Sequence, residues 1–103
     1  KSMVAHEKKR GEVVVRLLGE LDHAVAERIR PQLDELLKDP KVTRLVFDLG
    51  GLNFMDSSGI GIILGRYRIM NRRGGAVCVR GVGRQVDRMF QMAGLYQLVS
   101  KLS

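Results

Sequence analysis

Apolar residues alternate or cluster in stretches that predict a β-sheet. Met3 to Lys8 and Glu12 to Leu18 predict two strands joined by a tight turn at KRGE. The second strand is rich in β-branched and aliphatic residues, which is typical of a central position. The apolar runs TRLVFDL (residues 43–49) and AVCVRG (residues 76–81) predict two more buried strands, and the tail LYQLVSKLS predicts a short edge strand.

Apolar positions spaced about four residues apart predict a first helix within GELDHAVAERIRPQLDELLKD, residues 19–39. Val25, Ile29 and Leu33 fall on one face of this helix, and Asp22 is placed to cap its N-terminus. Pro31 interrupts the pattern, because an interior proline removes a hydrogen-bond donor and clashes with the preceding turn. We therefore expect a kink at Pro31, or two short helices of which the second begins there.

Two further helices are predicted in the second half of the chain. A loop, GGLNFMD, is expected to lead into a helix that runs to about Arg73 and ends at Gly74-Gly75. RQVDRMFQMAG predicts a third helix, with Gly94 suited to the position just after its end. After the first hairpin, strands and helices alternate, which indicates one α/β domain with helical crossovers.

Composition agrees with a single globular domain of 103 residues, 45% hydrophobic and 28% charged. The sequence has no apolar run long enough to cross a membrane and no signal peptide, so we expect a cytoplasmic protein. One cysteine, Cys78, fits a reducing compartment. Lys1 and Ser2, before Met3, are expected to be a remnant of cloning.

The net charge of +7 favours a nucleic-acid or acidic partner. The cations are scattered, however, and none of the five aromatic residues alternates with basic residues as in a base-stacking surface. A solvated basic surface is the simpler interpretation, with no stable nucleic-acid complex. No group of His, Cys or carboxylate residues has the spacing of a metal site.

The stretch NFMDSSGIGIILGRY, residues 53–67, is the most distinctive in the sequence. Its simplest interpretation is a helix start capped by Asp56. Nucleophilic catalysis by a serine would need a base, and only His6 and His23 are available. The G-x-S-x-G motif is absent because position 55 is Met, and the Lys-Ser/Thr pair of a phosphate-binding loop is also missing. Alternatively, Ser57 is a modification site, because a phosphate there would lie at the positive end of the helix dipole.

A helical projection places Gly61 and Gly65 in one stripe with Ser57, which ends at Arg68 and Arg72. Ile60, Ile63, Leu64 and Tyr67 lie on the other side and are expected to face the core. Ile62 and Ile69 flank the stripe and are expected to contact a partner. Glycines cost helix stability, so the stripe predicts a docking surface. Close packing of the helix on the sheet through Gly61 and Gly65 is the alternative.

GELDHAVAE, FMDSSGIGIILGRY and RMFQMAGL together resemble the anti-sigma factor antagonists of spore-forming bacteria, which are single STAS domains. The resemblance covers nearly the whole chain and is closer to the stage II sporulation type than to general-stress relatives. It implies one STAS domain over residues 1–103. The implied fold is a four- to five-stranded mixed sheet with helices largely on one side. It also implies no enzymatic activity.

The resemblance further implies a partner, an anti-sigma factor with serine kinase activity, whose binding frees a sporulation sigma factor of the sigma-F type. That kinase would phosphorylate Ser57, beside Asp22, and a serine phosphatase would reverse the modification. The expected partner-binding residues are Asp22, Asp56, Ser57, Ser58, Gly59, Gly61, Ile62 and Gly65. No catalytic residue, metal or cofactor is expected, although the resemblance allows weak nucleotide binding.

Two alternatives stay open on the sequence alone. One is a STAS interaction module of another stress or transport-associated system. The other is a basic nucleic-acid-binding domain, which would show micromolar affinity and a steep dependence on salt.

Overall fold

The structure, a computed structural model, describes residues 3–102, with side chains described from Ala5 onward. Lys1 and Ser2, the expected cloning remnant, lie outside the described residues. The described elements are β1 (Met3–Lys9), β2 (Glu12–Leu21), α1 (His23–Leu36), β3 (Arg44–Met55), α2 (Ser57–Arg72), β4 (Ala76–Arg80), α3 (Arg84–Met92), a 3₁₀ turn (Leu95–Gln97) and β5 (Ser100–Lys101).

The strands form one mixed sheet in the order β1-β2-β3-β4-β5. β1 is antiparallel to β2, and every later pair is parallel. Arg10 and Gly11 connect the first two strands with φ angles of 47° and 81°, the left-handed conformation that a two-residue hairpin turn requires. The predicted α/β class, hairpin and edge strand are confirmed.

All three helices cover the same face of the sheet. Alternate residues of the inner strands point to this face and form one core cluster with residues of α1, α2 and α3. The cluster includes Val13, Val15, Leu45, Phe47, Val77 and Val79 from the sheet and Ile29, Leu33, Ile62, Ile63, Met70, Val86 and Phe90 from the helices. The strand residues between them, such as Val46 and Cys78, are also buried but do not belong to this cluster. The one-sided arrangement of helices is therefore confirmed.

The alternative of two short helices divided at Pro31 is wrong, because α1 is one continuous helix from His23 to Leu36. The kink at Pro31 stays a prediction. Pro31 is exposed, while Ile29 and Leu33 on either side of it are each at most 2% exposed. Burial of this apolar face favours one helix by more than the interior proline costs. The predicted N-cap is confirmed, but residues 19–21 belong to β2 rather than to the helix.

The expected loop GGLNFMD is also wrong, because β3 continues through it to Met55. β3 pairs with β2 in shifted register at two places, between Arg16 and Leu18 and between Gly19 and Glu20. Each shift inserts an extra residue into β3 as a bulge, so the glycines bend the strand without ending it. β3 consequently leads directly into the helix start at Asp56.

Arg66 of α2 is a charged residue buried between helices. Only 8% of its side chain is exposed, and its Nε lies 3.2 Å from Oδ1 of Asp34 on α1. Burial lowers the pKa of Arg66, and the Asp34 carboxylate opposes that effect. Neither Nε nor Nη1 makes a hydrogen bond of normal geometry with the described residues. The ion pair therefore joins α1 to α2 while leaving part of the guanidinium unsatisfied.

Asp87 of α3 holds the C-terminal segment in place. Its carboxylate accepts hydrogen bonds from the Tyr96 hydroxyl, from Lys101 Nζ (2.9 Å) and from Gln91 Nε2 (2.9 Å). These donors lower the pKa of Asp87, and the Tyr96 hydroxyl has the largest effect, followed by Lys101. The carboxylate thus links α3 to both the 3₁₀ turn and β5.

Replacing Asp34 with Ala should lower the free energy of unfolding by about 2 kcal/mol, because it leaves the Arg66 charge buried without a counter-ion. Arg66→Met, which removes that charge and keeps an apolar chain, should cost less than about 1 kcal/mol. Urea unfolding measures both, and Glu27→Ala in the exposed Glu27–Arg30 pair is the control, with a loss below about 0.5 kcal/mol. A larger loss for Arg66→Met than for Asp34→Ala would contradict this account.

Asp87→Asn should destabilise the protein at pH 7 and make progressively less difference in acid. A carboxyl group whose pKa is lowered by folding stabilises the native state above its unfolded pKa. That contribution is lost as the pH falls through the folded pKa, so wild type and variant should converge below about pH 4. Urea unfolding at pH 7, 5 and 3 measures the difference. A constant difference at all three pH values would show that the stabilisation does not depend on the charge.

Candidate functional site

The ends of β2 and β3 place two helix starts side by side. Leu21 and Met55 are register partners, and the Asp56 N–H donates to the Leu21 carbonyl at 3.2 Å. The next residue of each strand caps a helix: Asp22 Oδ1 accepts from the Val25 N–H at 3.0 Å, and Asp56 Oδ1 from the Ser58 N–H at 2.8 Å. Both predicted N-caps are confirmed. We call this edge, with Asp22, Asp56 and Ser57, the acidic edge.

Ser57 is the first residue of α2 and is exposed, whereas Ser58 is half-buried. Among the described residues, no histidine donates to or accepts from either hydroxyl. His6 lines a pocket together with Gln32, Glu35 and Leu36 of the C-terminal half of α1, whereas the acidic edge is at that helix's N-terminus. The geometry gives Ser57 an open hydroxyl and no activating base from His6.

Gly61 and Gly65 form the open part of α2. Apart from the neighbouring residues and the backbone of α2 itself, a Cβ added to either glycine would meet no heavy atom of the described residues within 4 Å. The alternative of close helix–sheet packing through these glycines is therefore wrong. The predicted position of the stripe is confirmed, with Gly61 exposed and Gly65 partly exposed beyond Ser57.

Two residues expected to contact a partner are buried instead. Ile62 is 0% exposed and belongs to the core cluster, because α2 buries a wider arc than the projection assumed. Gly59 is also buried, and a Cβ there would lie 2.5 Å from Met55 Cγ and 3.0 Å from Leu21 Cδ2. Ile62 and Gly59 therefore support the helix from beneath and do not form its docking surface.

Phe54 is a residue of this region that the sequence analysis missed. It is 41% exposed and pairs with Glu20 on β2, next to the buried pair Leu21 and Met55. Exposed aromatic residues often anchor protein interfaces. No alternation in the sequence indicates this exposure, because the extra β3 residue between Leu52 and Phe54 interrupts the two-residue period of the strand.

The described residues contain no group of three or more His, Cys, Asp or Glu side chains that could hold a metal ion. Across the same residues, no helix is both long and apolar enough to cross a membrane. The acidic edge therefore combines an exposed serine, two helix-capping carboxylates and the start of an open helical surface.

Comparison with known proteins gives this arrangement a family. The STAS domain family matches residues 3–103. An anti-sigma F factor antagonist of Paenibacillus polymyxa is 43% identical over 93 residues, which are 90% of this chain and 80% of the relative.

Solved structures agree with the sequence comparison. The unphosphorylated form of the anti-sigma factor antagonist SpoIIAA is similar with a TM-score of 0.80 and 30% identity, over 98% of this chain and 88% of that chain. The phosphorylated form, described as a Bacillus cell fate determinant, is similar with a TM-score of 0.79 and 32% identity, over 98% and 92% of the two chains. The chain belongs to the STAS domain family and, within it, to the anti-sigma factor antagonists.

The three glycines of α2 should respond differently to alanine. Gly61→Ala and Gly65→Ala should each stabilise the protein by about 0.5–1 kcal/mol, because alanine favours the helix and its methyl group meets open space. Gly59→Ala should destabilise it by about 1–3 kcal/mol, because the methyl group would overlap Met55. Thermal and urea unfolding measure all three. Destabilisation by Gly61→Ala would show that the stripe packs against something.

Proposed function

We propose that this protein binds an anti-sigma factor through the acidic edge and the open face of α2, and that phosphorylation of Ser57 turns binding off. The observation that carries the proposal is the exposed Ser57 hydroxyl at the head of a helix face left open at Gly61 and Gly65. The relatives support it, since they are anti-sigma F factor antagonists and SpoIIAA is known in both phosphorylation states.

The open helix face accounts for docking. A partner can lie directly on the α2 backbone at Gly61 and Gly65, where no Cβ of this chain intervenes. Phe54 offers an exposed aromatic ring on the strand that leads into the site. Binding by this surface would release the sigma factor held by the anti-sigma factor, here proposed to be of the sporulation sigma-F type.

Charge accounts for the switch. A phosphate adds about two negative charges at pH 7, and on Ser57 it would lie among the Asp22 and Asp56 carboxylates. The N-terminus of α2 can accommodate that phosphate, so the fold need not change. A partner surface matched to the neutral hydroxyl would then face concentrated negative charge. The partner itself would act as the kinase, a separate serine phosphatase would restore Ser57, and the cycle would take place in the cytoplasm without a cofactor held by this protein.

Incubation with the anti-sigma F factor of the same organism and ATP tests the acceptor. Ser57→Ala should abolish phosphate incorporation, while Ser58→Ala should keep most of it, because Ser58 contributes its N–H rather than its hydroxyl to the helix cap. Radiolabel transfer and intact mass measure the outcome. Full incorporation into Ser57→Ala would move the acceptor elsewhere.

Two further variants separate charge from shape when binding to the same anti-sigma F factor is measured by titration calorimetry. Ser57→Asp should weaken binding by roughly tenfold or more through charge alone. Gly61→Gln should weaken it similarly by filling the open helix face, without loss of thermal stability. Arg88→Gln is the control, because it introduces the same side chain at an exposed position of α3, and it should bind like wild type. Unchanged affinity for Gly61→Gln would show that α2 is not part of the interface.

A further inference from the structure

Unpaired positive charge gathers at the end of the domain opposite the acidic edge. Five cations define what we call the basic edge: Lys9, Arg10, Lys41, Arg72 and Arg73. They come from three separate segments, which are the end of β1 with the turn after it, the loop between α1 and β3, and the end of α2. This grouping is invisible in the sequence, where the same residues are scattered over 65 positions.

Backbone contacts fix the three segments against one another. The Thr43 N–H donates to the Gly11 carbonyl at 2.8 Å, and a Cβ on Gly11 would lie 2.9 Å from the Lys41 carbonyl oxygen. The Arg73 guanidinium donates to the carbonyls of Leu37 (2.7 Å) and Asp39 (3.0 Å). The basic edge is therefore a preformed surface with a fixed spacing of its backbone segments.

The acids near this edge are already occupied. Three of them pair with cations outside the set: Asp39 with Lys8 at 2.6 Å, Glu35 with Lys38 at 2.9 Å and Glu12 with Arg44 at 2.9 Å. Within residues 5–102, no basic-edge cation forms an ion pair, and the Arg73 hydrogen bonds are to neutral carbonyls. Lys41 has the nearest acid, because its N–H donates to Asp39 Oδ1 at 2.9 Å and its charge helps to lower the pKa of Asp39. The edge thus holds five cations without an ion pair within residues 5–102, in a protein whose net charge is +7.

Local stability explains only part of this grouping. Arg72 and Arg73 lie at the C-terminus of α2, where cations complement the helix dipole. Lys9 ends β1, Arg10 lies in the turn after it and Lys41 lies in a loop, so no helix end accounts for these three cations. Gathering like charges there costs repulsion, which a polyanionic ligand would relieve.

The surroundings favour a phosphate backbone over a protein partner. The exposed large apolar side chains Phe54, Met92 and Leu98 all lie outside the three segments of the basic edge. Protein interfaces depend on such anchors, whereas binding to nucleic-acid phosphates needs only well-placed cations. The same segments contain no aromatic ring on which an unpaired base could stack. We propose that the basic edge binds the backbone of double-stranded DNA without regard to sequence.

This activity is independent of the proposed switch. Ser57 and Arg72 are the two ends of α2, about 22 Å apart at 1.5 Å per residue. That separation exceeds the screening length of about 10 Å at 0.1 M salt. The domain could therefore occupy its two ends at once, and either proposal could fail without the other.

Fluorescence anisotropy with a labelled 20-base-pair duplex of arbitrary sequence tests the proposal. The full chain should bind with a Kd on the order of 10⁻⁵ M at 50 mM salt. The logarithm of the association constant should fall with the logarithm of the salt concentration at a slope of about −4. The triple variant Lys9→Gln/Arg10→Gln/Lys41→Gln should bind at least tenfold more weakly, with a slope shallower by about 3. Ser57→Asp should bind within twofold of wild type.

A second triple variant controls for net charge. Arg28→Gln/Arg84→Gln/Arg88→Gln removes three exposed cations from α1 and α3, and should lose no more than threefold in affinity. Equal losses in the two triple variants would overturn the proposal, because binding would then follow total charge alone. Absence of binding at 50 mM salt would also overturn it, as would binding of poly-glutamate but not of the duplex. Unfolding curves confirm that both variants are folded.

Discussion

The hydrogen bond from the Asp56 N–H to the Leu21 carbonyl joins the ends of two parallel strands, and the rest of the site depends on it. It brings Asp22 and Asp56 to the same edge, where each ends a strand and caps a helix. Gly59 completes the junction, since a Cβ at this position would force the side chains of Met55 and Leu21 to shift. Ser57 is thereby held on a rigid junction, and a charge placed on it would change the surface rather than the fold.

The domain is electrically polarised along its helices. Its acidic edge lies at the N-termini of α1 and α2, with capping carboxylates against the positive ends of the helix dipoles. Uncompensated cations lie at the opposite end, around the C-terminus of α2. The buried Arg66 and the partly exposed Asp34 lie between these ends and form an ion pair that joins the two helices. The two ends of α2 therefore differ in charge, although exposed cations also lie on α1 and α3, at Arg28, Arg84 and Arg88.

The periodicity of the sequence predicted the element order, both N-caps and the position of the open glycine stripe. It failed where tertiary contacts outweigh local preference. Pro31 should interrupt a helix, yet the buried face on either side of it holds α1 together. Gly50 and Gly51 indicate a loop, yet β3 stays paired with β2 through them and accommodates the extra residue as a bulge. Ile62 was misplaced because a projection shows angles around one helix and omits the helix packed beside it.

The open space above Gly61 and Gly65 has an evolutionary consequence. A single nucleotide change converts any glycine codon into an alanine codon, so a more stable helix is always one mutation away at each position. Proteins tolerate such stabilising changes readily unless a function opposes them. If a partner does lie on the exposed backbone at these glycines, each alanine substitution would give a more stable protein that binds the partner more weakly. The two glycines would then mark where selection for association outweighs selection for stability.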